Sequence, residues 1–145
     1  MAGTAQIVNP ANAFPPGNPP TGGGNVPTLN EGEYVATAAI SAPRLVSSDT
    51  TGNKCTLAAT DVTAALVVGV CTVAASTTGS IAKVATNGVV RNMPCDGAVA
   101  AGDVLKRSAT TAGSVAATAS PATGEKIAVA LAASASNTVT IFVCK

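Results

Sequence analysis

The chemistry open to a chain is set first by its reactive side chains, and this sequence of 145 residues carries no histidine. The commonest general base and metal ligand is therefore missing, and most hydrolytic triads go with it. The carboxylates are Glu31, Glu33, Asp49, Asp61, Asp96, Asp103 and Glu125. Nearly all fall in or beside turn-forming stretches or next to the N-terminal segment, where a solvated carboxylate is the expectation. No nucleophile elbow, phosphate loop or zinc-protease helix is written in the chain. The run Gly22-Gly23-Gly24 follows prolines rather than a strand, which is the wrong context for cradling phosphate. These residues predict no catalytic site and no enzyme.

Four cysteines, Cys55, Cys71, Cys95 and Cys144, are too widely spaced for zinc-binding pairs and too sparse for a disulfide scaffold. They read either as free buried thiols or as one or two disulfides, with no pairing chosen by the spacing. Asp96 and Asp103 bracket a glycine-containing loop, but two carboxylates alone offer calcium too few ligands, so no metal is expected. The stretch CDGAVAAGDVLKRS, Cys95 to Ser108, has the outline of the turn in lipoyl or biotinyl carrier domains. It presents no lysine at a hairpin tip, and the best candidate, Lys83, lies inside the apolar run IAKVA. No cofactor is expected. Lys106-Arg107 is the only basic pair, and the net charge is +1 with 2 % aromatics. Neither a phosphate-tracking groove nor a stacking platform for nucleic acid follows from that.

Composition divides the chain near residue 30. Six of the nine prolines lie in the first 27 residues, among them Pro15, Pro16, Pro19 and Pro20 around Phe14. Proline removes backbone donors and fixes φ, so residues 1–30 are expected to form an extended Pro/Gly-rich arm suited to lying along another protein. Phe14, its one large ring, is the expected anchor together with the two proline pairs. The N-terminus has neither the basic start nor the apolar run of a secretory signal. The longest apolar stretch, AALVVGVC from Ala64 to Cys71, is far short of the roughly 20 residues of a membrane helix. No membrane partner is expected.

From Glu31 onward, short β-prone runs alternate with turn signals such as DTTGN, STTG, PATG and SASN. This spacing predicts an all-β domain over residues 31–145, a compact β-sandwich or barrel of short antiparallel strands. Asn87-Gly88 predicts a tight hairpin that pairs the strand of Lys83 with the strand of Arg91. In TVTIFV, alternation sets Val139, Ile141 and Val143 on one face and Thr138, Thr140 and Phe142 on the other. A faint repeat at an offset of about 60 residues lays RLVSSDTTGNKCTLAA on VLKRSATTAGSVAATA, suggesting two similar halves. Charged residues make up 10 % of the chain, against about a quarter in typical domains. A surface so poor in charge is weakly protected against association and reads as one meant to be covered.

The order of these stretches resembles the capsid decoration, or cement, proteins of tailed bacteriophages. The likeness spans about Ala38 to Val143 and is carried by Arg44-Leu45-Val46, Val68-Gly69-Val70, Gly79, Gly88-Val89-Val90 and Ala98 to Asp103. Ala128 stands where that pattern has a second glycine, and Asn137 where it has the glycine of the last hairpin. The cysteines and the long arm are not general features of it. The resemblance implies a structural virion protein on the outer capsid surface. Its partners would be the major capsid protein and further copies of itself, commonly as a homotrimer. A secreted or surface-layer β-sandwich interaction module is the alternative from another class.

Overall fold

The structure, a computed structural model, describes residues 29–49, 52–62 and 66–145. Phe14, Pro15, Pro16, Pro19 and Pro20 lie outside the described residues. The strands are β1 (Asn30–Ala36), β2 (Arg44–Ser48), β3 (Lys54–Leu57), β4 (Val67–Val73), β5 (Ile81–Pro94), β6 (Val104–Arg107), β7 (Val115–Ala117), β8 (Ala128–Ala130) and β9 (Thr138–Cys144). The fold is all-β, with no α-helix among the described residues.

All nine strands join one mixed sheet in the order β1-β3-β2-β4-β5-β9-β8-β6-β7, and β1 also pairs with β5. That extra pairing closes β1, β3, β2, β4 and the first half of β5 into a ring. The second half of β5 continues through β9, β8, β6 and β7, and Cys95, just past β5, forms a parallel bridge to Val115 of β7. The Asp96 N–H donates to the Val115 carbonyl at 2.8 Å and secures the second closure. The molecule is thus two small barrels sharing one long strand. Pairing is antiparallel except at β1 with β3 and at this bridge.

The shared strand replaces the expected hairpin. β5 runs unbroken for 14 residues, so Lys83 and Arg91 lie on one strand rather than on two paired ones. Asn87 pairs with Asn30 and with Cys144, and Gly88 with Val143. Folding back at Asn87-Gly88 would break ladder bonds on both sides. A type I′ turn also needs positive φ at both central residues; Gly88 has φ +117°, whereas Asn87 is not among the positive-φ residues. Glycine serves here to bend the strand from one barrel into the next.

A ring of five strands leaves a narrow interior, which explains a core of small side chains. The first barrel encloses Ala36, Val46, Cys55, Cys71, Ala82 and Val84. The second encloses Met93, Leu105, Val115, Ala130, Val139 and Ile141. Full burial of each Val, Leu or Ile contributes roughly 1.5–3 kcal/mol.

The strand registers repeat. Val46 pairs with Gly69, and, a step of 59 residues on, Leu105 pairs with Ala128. Leu45 with Val70 corresponds in the same way to Val104 with Val129. Val70 with Ala85 corresponds to Val129 with Phe142, and Tyr34 with Ala82 to Met93 with Val139.

The barrels are fastened by a face of the first. Leu45, Ala58, Val67, Val70 and Ala85 come from the first barrel and its loops but are buried in the apolar cluster of the second. The Leu45 N–H donates to the Gly113 carbonyl and the Gly113 N–H to the Ala58 carbonyl, each at 2.8 Å. Arg44 Nη1 donates to Ser114 Oγ at 3.1 Å. Gly113 has φ +71°, and a Cβ there would sit 2.4 Å from Leu57 Cδ1, so any other residue would be strained in its backbone and would have to displace the Leu57 side chain.

Candidate interaction surface

Several of the charged side chains serve local structure. Asp96 accepts hydrogen bonds from the hydroxyls of Thr110 and Ser108, the latter at 2.7 Å. Ser108 Oγ in turn accepts the N–H groups of Thr110 and Thr111 at 3.0 and 2.9 Å. The carboxylate therefore organises the turn between β6 and β7. Asp103 Oδ2 accepts the Ala100 N–H at 2.8 Å, so the Gly102-Asp103 step is a capped turn leading into β6. Lys106 and Glu125 approach to 3.8 Å with about a third of each side chain exposed, a pair of little energetic weight. Lys83 sits within β5, in register with Glu33 and Val73, on a barrel wall rather than at a turn. No three Cys, Asp or Glu side chains converge among the described residues.

The hydroxyls of Thr110, first, and Ser108 hold the Asp96 carboxyl below the usual carboxylate range. A depressed folded-state pKa gives stability that is present above the unfolded value, about 3.9, and lost as pH falls through the folded one. Asp96→Ala should therefore lower the urea midpoint at pH 7. The gap from wild type should narrow as the pH is taken progressively below that unfolded value, and a gap independent of pH would contradict the assignment.

All four cysteines are free thiols, with Cys55, Cys71 and Cys95 buried and Cys144 half-buried. Burial pushes the Cys55 thiol up. Burial and then the neighbouring Cys55 push Cys71 up. Raised thiols are protonated and slow to alkylate. Iodoacetamide on the native protein should modify Cys144 first and leave Cys55 and Cys71 unmodified until denaturant is added. Peptide mass mapping checks this, and early loss of Cys55 or Cys71 would refute it.

Apolar surface is the other feature that the described residues offer. On the second barrel, Val104 pairs with Val129, Val129 with Phe142 and Phe142 with Val89. These four half-buried side chains form one uncharged row across β6, β8, β9 and β5. On the first barrel, Val73 and Ile81 are each 51 % exposed, and Ile81 pairs with half-buried Val35. A groove of about 250 Å³ lies between Leu29, Pro43, Thr72, Val89 and Arg91. Leu29, the first described residue, lines that groove together with Val89.

Sequence reasoning assigned partner contact to Phe14, Pro15, Pro16, Pro19 and Pro20, which lie outside the described residues. It did not single out Val89, Val104, Val129, Val73 or Ile81. The signal for Phe142 was present in the alternation of β9, whose burial alternates between half-buried and buried from Thr138 to Cys144. A scan of the chain against protein-family models matches none, and a search of the curated proteins finds no match.

Proposed function

We propose that this protein is a structural component of a tailed-bacteriophage virion. In this reading it binds the outer surface of the mature capsid and bridges neighbouring major capsid protein subunits. The observation that carries the reading is the surface. A body of two small barrels uses Asp96 and Asp103 in turns and buries Cys55, Cys71 and Cys95, yet keeps apolar rows partly open on both barrels. Such rows suit contact with other proteins. The order of sequence elements, which resembles decoration proteins, directs the reading to capsids, with homotrimers as the implied form. Closure of both barrels occupies most strand edges, so contact falls to side chains on the walls and to the arm rather than to added strands.

A decoration protein binds the expanded lattice in preference to other states and stabilises it by linkage. Repetition over a shell adds avidity to weak single contacts. Adding the purified protein to undecorated mature capsids should raise the temperature at which they lose their contents, saturating with protein concentration. Capsids whose heat release is unchanged at saturating protein would reject the proposal.

A further inference from the structure

We propose that the row Val89–Phe142–Val129–Val104 is a self-association surface, covered in solution by a second copy of this chain. The argument comes from the repeated register. The corresponding row on the first barrel is Leu45–Val70–Ala85, whose members pair side by side across β2, β4 and β5. There the face is covered: Leu45, Val70 and Ala85 are each 0 % exposed, and all three lie in the cluster built around the second barrel. The chain therefore shows what its outward-facing rows bind, which is another barrel of its own kind.

On the second barrel the same register positions carry Val104, Val129 and Phe142, as apolar as their counterparts and larger at the last. All are half-buried rather than buried, whereas their counterparts on the first barrel are fully covered. β9 sets the contrast within one strand. Val139, Ile141 and Val143 fill the barrel, while Phe142 stands on the other face, between half-buried Thr140 and Cys144. A phenylalanine facing water in a chain with two phenylalanines suits an anchor, since aromatic side chains dominate the central contacts of interfaces. Charge repulsion does not oppose such contact, because no member of the row is charged and the chain's net charge is +1.

The inference is independent of capsid binding and is tested without capsids. The full chain is examined by size-exclusion chromatography with light scattering, over a hundredfold range of concentration. Wild type should show a multiple of 13.9 kDa at high concentration and dissociate on dilution. Phe142→Lys and Val129→Lys should shift the dissociation midpoint at least tenfold upward. Phe142→Thr, which matches Thr138 and Thr140 on the same face and preserves strand propensity, should do so with an unchanged circular dichroism spectrum. Val73→Lys, at a more exposed apolar site on the other barrel, should leave the midpoint in place. Wild type at 13.9 kDa throughout would overturn the proposal. So would Phe142→Thr with wild-type association, or loss of association on removing residues 1–28 alone, which would give the contact to the arm.

Discussion

Gly69→Ala should destabilise the protein by roughly 3 kcal/mol, among the largest effects of any single methyl added to this chain. Gly69 lies in β4, paired with Val46 of β2, where β5 crosses closely on the other side. A Cβ at this position would stand 2.2 Å from the Ala85 carbonyl oxygen and 3.0 Å from Val84 Cγ1. The first obstacle is backbone, which cannot swing away as a side chain can. Relief would require the β4 to β5 ladder to part, beside the irregularity already present between Cys71 and Val73. The counterpart in the second barrel is Ala128, fully buried and paired with Val143, so the same position there accepts a methyl. Ala128→Gly should cost only about 1 kcal/mol, through chain entropy and lost packing. Urea unfolding of the two variants measures this asymmetry, and a Gly69→Ala midpoint equal to wild type would show that the crossing is looser than described.

The second large effect concerns the arm. Removing residues 1–28 should leave a folded body, because β1 starts at Asn30 and is held by β5 along its length and by β3 at its end. The same deletion should weaken capsid binding at least tenfold, since under the proposed function the arm carries contacts that the barrels do not replace. Circular dichroism with thermal melting reports the first half of this expectation, and binding to mature capsids the second. A truncated protein that melts as wild type and still saturates capsids would take the arm out of the account. It would leave binding to the barrel walls.

Much of the β architecture was legible in the sequence, and the misreadings have local physical causes. β2 falls on RLVSS, and the alternation of TVTIFV assigns the faces of β9 as observed. Asn87-Gly88 misled because the same dipeptide that closes a hairpin also permits a bend. Which role it takes is decided by partners distant in sequence, Asn30 and Cys144. Barrel closure was not legible for a related reason: the parallel contact of β1 with β3 rests on two residue pairs, and that of Cys95 with Val115 on one. Neither leaves a pattern in composition.

The repeat illustrates the limit of matching letters. Aligning Thr50-Thr51 with Thr110-Thr111 lays Leu45 on Leu105, whereas the strands place Val46 there. The β6 to β7 turn is one residue longer than its counterpart: Asp49 donates its N–H across to Lys54, and Ser108 across to Ser114. The threonines match across that extra residue and pull the strands out of register by one. Since a one-residue slip exchanges the two faces of a strand, the correspondence between the buried Leu45 row and the open Val104 row emerges only from the hydrogen-bonded register. The sequence could place Phe142 on an outer face, but not beside Val129 and Val89.

The most direct test of the proposed function is co-sedimentation of the full-length protein with undecorated capsids in expanded and unexpanded forms. The account predicts saturable binding to expanded capsids, at a fixed number of copies per major capsid protein, and little binding to unexpanded ones. Protein that stays in the supernatant with expanded capsids at every concentration would contradict it.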